Sequence, residues 1–244
     1  MARGEQEQKC IDFVRKQLEE NKFNSLLPNK DIDIIRQIFH IAKPNSHLSE
    51  FPDFIFENGF IEHFEVTSSK ETNKGAKVKA AESAFERENE NIFEDMQKNP
   101  PIFDSPITLT TQMREMDCPI CSYGDYVTSF KKNWEHHIES FDKYNGNKEI
   151  GIFLIQQTGA PIVVKRNGTF SEFYHLQMDL DLLSYMEYYS NKIHYVIYCH
   201  QEFCDIISLI DLPKSNYMQN ITFDVGRLRE TRLFLLADIN PNLM

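Results

Sequence analysis

Two carboxylates stand out by the company they keep. Asp53 follows Pro52 in FPDFIF, and Glu65 lies in GFIEHFEVTSS, a run otherwise rich in Phe, Ile and Val. Hard divalent cations take oxygen ligands, so Asp53 and Glu65 together suit Mg2+ or Mn2+. A metal-bound water activated for hydrolysis is chemistry that such a pair can serve. Hydrolysis also needs a group that steadies the developing charge, and Lys70 is the first candidate after Glu65, with Lys74 and Lys77 behind it. Thr67, Ser68 and Ser69 lead from Glu65 into this lysine-rich start of a helix, a setting that favours an anion.

Other reactive residues read as packing. Cys118-Pro119-Ile120-Cys121 is followed by His136-His137. The cysteines have zinc-ligand spacing, but adjacent histidines on a helix point about 100° apart, so zinc is not expected. A zinc-stabilised module is kept only as a third reading. Gln156 and Gln157 end an apolar strand and reach the same cleft only if that strand lies beside the one carrying Glu65. Cys199-His200, Cys204 and Asp205 have no positioned base or oxyanion feature readable beside them.

The elements that must position Asp53 and Glu65 follow from periodicity. Cys10, Phe13, Val14 and Leu18 predict an amphipathic helix from about Glu5 to Asn21. Ile34, Ile35, Ile38 and Ile41 predict a second one, capped by Asp31 and ended before Pro44. Strands are expected at about 53–57 and 60–67, flanking Asn58-Gly59, the strongest short hairpin signal. Side chains alternate along a strand, and a register placing Asp53 opposite Glu65 and Phe54 opposite Phe64 separates acids from apolar residues; this requires a three-residue turn or a bulge. A helix follows from Lys77 and ends before Pro100-Pro101, and PITLTTQ reads as a strand. Tyr126, Phe130, Trp134, Ile138 and Phe141 form the seam of a long helix, and that seam is structural. Further strands are expected at IGIFLIQQ, PIVVKRNGTF with a turn at Asn167-Gly168, KIHYVIYC, NITFDV and RLFLLADI, with a helix near 179–190. DIISLIDL fits either helix or strand. The fold class is α/β (mixed α+β), a central mixed sheet flanked by helices.

The order across residues 31–95, helix, strand with Pro52-Asp53, hairpin, strand with Glu65, resembles the PD-(D/E)xK nuclease superfamily of restriction-endonuclease-like folds. The resemblance implies that Asp53 and Glu65 are metal ligands and that a lysine two residues after Glu65 helps to activate water. That position is Thr67, so the motif reads Glu65-Val66-Thr67, and Lys70 is the implied substitute. It further implies a single domain over 1–244, with a nuclease-like core at about 31–200 and a helical insertion at about 118–147. The expected activity is Mg2+- or Mn2+-dependent endonucleolytic hydrolysis of DNA in a restriction or defence setting, with a homodimer as the expected form where both strands are cut. The second reading is a non-catalytic, nuclease-derived protein that binds a protein partner through its acidic surface.

Composition narrows the classes. The chain has 244 residues, 41% of them hydrophobic, enough for a sizeable core. No stretch approaches the ~18 apolar residues of a membrane helix. The charged start has no apolar core of a secretion signal, and five cysteines do not form a dense disulfide framework. The expectation is a cytoplasmic protein with reduced thiols. A net charge of −11 argues against unselective binding to phosphates, though not against a local cleft in which bound metal offsets the carboxylates.

Overall fold

In the computed structural model, residues 4–46, 50–69, 76–98, 107–110, 121–200, 203–212, 221–225 and 236–239 are described. Helices α1 (Glu5–Glu20) and α2 (Asn29–Ile41) form because each carries an apolar stripe that it buries against the other: Ile11, Val14 and Leu18 against Ile32, Ile35 and Phe39. Arg15 of α1 locks the pair by donating to the carbonyls of Phe39 and Ala42 at 2.8 and 3.1 Å, groups that the end of α2 leaves without helical donors. Helix α2 starts two residues before Asp31, after Pro28. Asp31 is therefore an acid in the first turn, favoured by the helix dipole, and not the cap.

Strand β1 (Asn24–Ser25) joins the two helices, and β2 (Lys43–Pro44), β3 (Phe54–Phe56) and β4 (Gly59–Thr67) follow. Then come α3 (Ala76–Lys98), β5 (Ile107–Thr110), α4 (Tyr123–Lys143), β6 (Ile150–Thr158), β7 (Ile162–Arg166) and β8 (Thr169–Phe173). The remainder is α5 (Leu180–Glu187), β9 (Tyr195–His200), β10 (Phe203–Ser208), β11 (Ile221–Val225) and β12 (Leu236–Ile239). The first half of DIISLIDL thus resolves as strand, the end of β10, and the remainder is irregular. The main sheet has the order β1-β10-β9-β6-β4-β3-β2, with β4, β6 and β9 parallel, β3 antiparallel to β4 and β2, and β10 antiparallel to β9 but parallel to β1. A three-stranded sheet, β11-β7-β8, and the pair β12-β5 complete the strands among the described residues. This is the expected mixed α/β class.

The main sheet is covered on both faces, which is why its central strands read as continuous apolar runs. Along β4, Phe60, Phe64 and Val66 join the core under α4, whereas Ile61 joins the core under α1 and α2. The α4 seam is buried as expected, with Trp134 meeting Phe153 of β6 edge-on at a 4.9 Å centroid distance. Asn167 and Gly168 make the β7–β8 turn with φ of 52° and 79°, the left-handed conformations that favour Asn and Gly there. None of the described helices is long and apolar enough to cross a membrane.

The hairpin that delivers the two acids differs from expectation. Phe56 pairs with Gly59 and Phe54 with Ile61, so the turn is Glu57-Asn58 and Gly59 is the first residue of β4. Gly59 belongs in the strand because a Cβ there would lie 1.9 Å from the carbonyl oxygen of Ile150, where β6 begins. This register leads Asp53 towards Glu62 and His63, so Asp53 does not oppose Glu65, nor Phe54 Phe64.

Candidate active-site cleft

The C-terminal half of β4, the first turns of α1, residues 50–53 and a polar strip of α4 enclose a cleft of about 500 Å³. Five carboxylates line it, those of Glu7, Glu50, Asp53, Glu62 and Glu65, together with His63, His136 and His137. No lysine or arginine lines it among the described residues. Asp53 and Glu65 therefore share one cleft, as expected, though by a different route.

Asp53 is clamped by a reciprocal pair of hydrogen bonds. Its backbone N–H donates to Glu62 Oε2 at 3.0 Å, and its Oδ2 accepts from the His63 backbone N–H at 2.8 Å. Glu62 shares the α4-facing side of β4 with Phe60 and Phe64, and its Oε1 lies 2.7 Å from His137 Nδ1. Burial pushes the Glu62 carboxyl up to about 8. Burial, and then the Glu62 charge, pushes Asp53 up to about 7. Burial also lowers His137 to about 4. Burial thus disfavours charge on both members of the Glu62–His137 pair, and which of them donates in their hydrogen bond depends on the tautomer of the ring.

The other face of β4 carries His63 and Glu65. The Gln6 side-chain amide of α1 donates to Glu65 Oε1, tying the helix start to the strand. His63 packs behind the cleft, with Nε2 3.3 Å from Gln156 Oε1. Burial disfavours its cation, but the Cys10 thiol, Asp53 and Gln156 outweigh burial and raise its pKa. A hydrogen bond from Cys199 outweighs burial at Cys10 and lowers that thiol to about 6. Strand β6 does lie beside β4, with Glu65 paired to Gln156, yet Gln157 points away and bonds Tyr198 and the Ala160 carbonyl.

At the position where the family pattern has lysine, Thr67 is buried, and its hydroxyl is shared with Ser69 Oγ at 3.0 Å. Its backbone N–H donates to Ser129 Oγ of α4 at 3.2 Å. Lys70 and Lys74 lie outside the described residues, as does the side chain of Lys77.

The donor set suits a hard cation by chemistry: Mg2+ uses one or two carboxylates and fills its remaining positions with water and substrate oxygens. Among the described residues no group of three His, Cys, Asp or Glu side chains is arranged to hold an ion. Asp53 and Glu65, with Glu7 beside them, are the residues that would hold one. The cysteine–histidine constellation is not brought together. Cys118 lies outside the described residues, and Cys121 pairs with Ser69 just before α4, roughly 20 Å of helix from His137. Cys199 and Cys204 face each other across β9 and β10 in the core, and Asp205 accepts from His175 and from the Leu176 N–H, each at 2.9 Å.

Gln6, Glu7, Glu62 and the pairing of His137 were not anticipated from the sequence. Glu62 carried a usable signal, an acid between Phe60 and Phe64 on a buried face. Gln6 and Glu7 carried none, because polar residues at a helix start are ordinary. Comparison with known proteins gives no match to a family model, to a curated protein or to a solved structure.

Proposed function

We propose that this protein is a Mg2+- or Mn2+-dependent nuclease that hydrolyses phosphodiester bonds in DNA. The observation that carries the reading is the delivery of Asp53, immediately before β3, and Glu65, in β4 of the same hairpin, into a carboxylate-lined cleft without lysine or arginine among its described residues. Such a cleft repels a bare phosphate backbone and favours a divalent cation, so substrate and metal belong together. The order helix, strand, hairpin, strand supports the same reading.

In this reading Asp53 and Glu65 hold the metal, which when bound polarises the phosphoryl oxygens and lowers the pKa of water. The chain's own residues do the positioning. The His63 N–H orients the Asp53 carboxylate, Gln6 orients Glu65, and Glu62 fixes the Asp53 backbone. Lys70 remains the proposed cation for the developing charge. Hydrolysis adds water across one ester P–O bond, leaving a phosphate monoester and a free hydroxyl. We place this activity in the cytoplasm, in a restriction or defence role, with a homodimer where both strands are cut.

One observation favours a second reading. Thr67 is buried with its hydroxyl engaged, so the lysine position is filled by a structural residue, as expected of a nuclease-derived protein that binds a protein partner without cleaving. Incubation of the protein with single- and double-stranded DNA and RNA, with and without Mg2+ or Mn2+, separates the two. Metal-dependent cutting of DNA is expected, and its absence on every substrate and metal favours the binding protein.

A further inference from the structure

The hairpin of β7 and β8 turns through an exposed stretch, residues 166–171, and its tip is basic and aromatic at once: Lys165-Arg166-Asn167-Gly168-Thr169-Phe170. We propose that this hairpin is a base-stacking platform for single-stranded nucleic acid, with Phe170 and Phe173 taking unpaired bases and Lys165 and Arg166 taking the phosphates between them. The inference rests on the nuclease reading for its polymer and narrows that polymer to a strand whose bases are unpaired.

Side chains three apart point to opposite faces of a regular strand, and a bulge brings these two to one. Phe170 pairs with Lys165 and Phe173 with Val163, with a register shift between them, so both rings stand on the same side of the hairpin, their centroids 5.9 Å apart. That side faces solvent, because Ile162 and Val164 turn the other way into the core under α4. Phe170 is 60% exposed and Phe173 46%. Phe203, at the start of β10, extends the row at 5.6 Å from Phe173, and His200 backs it, parallel within 5° at 6.4 Å.

The row lies at the edge of the main sheet that carries the cleft. Val66, next to Glu65, pairs with Gln157, Gln157 with His200, and His200 with Phe203. Three strand spacings, roughly 14 Å, therefore separate β4 from Phe203, a span that a few nucleotides of single strand cover. Charge and ring chemistry select the occupant. In a chain of net charge −11, β7, β8 and their turn hold Lys165 and Arg166 against one acid, Glu172. Arg166 pairs with Glu172 at 2.8 Å and Lys165 with Asp224 of β11, both at the surface, where such pairs are weak enough for a phosphate to compete. With Asp224 counted the patch is neutral, so stacking supplies most of the affinity, and every base offers a π face to it. A duplex keeps those faces stacked on one another and away from the rings, so the platform discriminates in favour of single strands.

The test measures binding of a fluorescein-labelled thymine oligonucleotide, alone and in duplex with its complement, by anisotropy in the presence of a chelator. It compares wild type with Phe170→Ala, Phe170→Trp and Arg166→Gln, each checked for folding by circular dichroism. Phe170→Ala should weaken single-strand binding at least about fivefold while duplex binding changes less than about twofold. Phe170→Trp should bind like wild type, and the single strand should quench its fluorescence over the constant signal of buried Trp134, the native chain's one tryptophan. Arg166→Gln should lower the slope of log affinity against log salt by about 0.7, the loss of one phosphate contact. Wild-type affinity in Phe170→Ala, or no quenching in Phe170→Trp, overturns the platform. A dimer by light scattering that Phe170→Ala converts to monomer, with DNA binding unchanged, overturns it in favour of a second copy covering the rings. Mg2+- and Mn2+-dependent cleavage is scored on the same proteins. If wild type cuts and Phe170→Ala binds the single strand unchanged, the platform falls and the nuclease reading stands. If wild type binds the single strand through Phe170 and cuts nothing with either metal, the platform stands and the nuclease reading falls.

Discussion

Replacing Glu62 with glutamine tests the electrostatics of the cleft without any assumption about its substrate. Glutamine has the shape of the neutral carboxyl, with its amide oxygen placed to accept from the Asp53 N–H and its amide nitrogen beside His137 Nδ1. Glu62 is raised from 4.5 to about 8 in the folded chain. Between those values the folded state holds a proton that the unfolded state releases, so this residue's contribution is intact below pH 4.5 and is lost as pH rises through 8. At about 1.36 kcal/mol per pKa unit, the loss from pH 5 to pH 9 is roughly 4 kcal/mol. With Glu62 6% exposed, solvent does little to screen it. Urea denaturation in the presence of a chelator, at pH 5 and pH 9, should therefore show wild type losing several kcal/mol more than Glu62→Gln, with the two nearly equal at pH 5. Parallel stability profiles for the two proteins would refute the assignment of a neutral buried carboxyl.

Other outcomes follow from the packing. Trp134→Ala removes the largest fully buried side chain and should cost about 3–5 kcal/mol in the same assay. Gly59→Ala forces a Cβ against the Ile150 backbone and should destabilise by at least about 1–3 kcal/mol, with loss of hairpin amide protection in hydrogen exchange. His175 is raised above 6.5, first by its hydrogen bond to Asp205. Its stabilising contact is therefore full below 6.5 and fades as pH rises through the folded value, and Asp205→Asn should lower the His175 midpoint seen by NMR.

Much of the architecture was readable because helical and strand periods are set by single residues in sequence. The α1 and α4 stripes and the Asn167-Gly168 turn are of this kind, whereas in α2 only Ile35 and Ile38 of the expected stripe are buried: the face turned to α1 runs through Ile32 and Phe39 and leaves Ile34 and Ile41 exposed. The hairpin differs from the local reading for a physical reason: Asn58-Gly59 has turn chemistry, but the glycine is required by the approach of β6, a neighbouring strand that is distant in sequence. Register then decides which acid Asp53 meets, and local pattern cannot reveal a neighbour supplied by Ile150. His137 shows the same limit. Its pairing with Glu62 depends on α4 crossing β4, so only the anomaly of Glu62 between two phenylalanines was visible beforehand. Asp53 and Glu65 were legible because both combine an acid with a strand context, and they do reach one cleft.

The most direct measurement is Mg2+-dependent DNA cleavage by wild type beside Asp53→Ala and Glu65→Ala, each confirmed as folded. The account predicts cutting by wild type that a chelator abolishes and that each substitution lowers by at least about 100-fold. Cleavage that survives in Asp53→Ala at the wild-type rate, or a wild type that cuts no DNA with either metal, would contradict it.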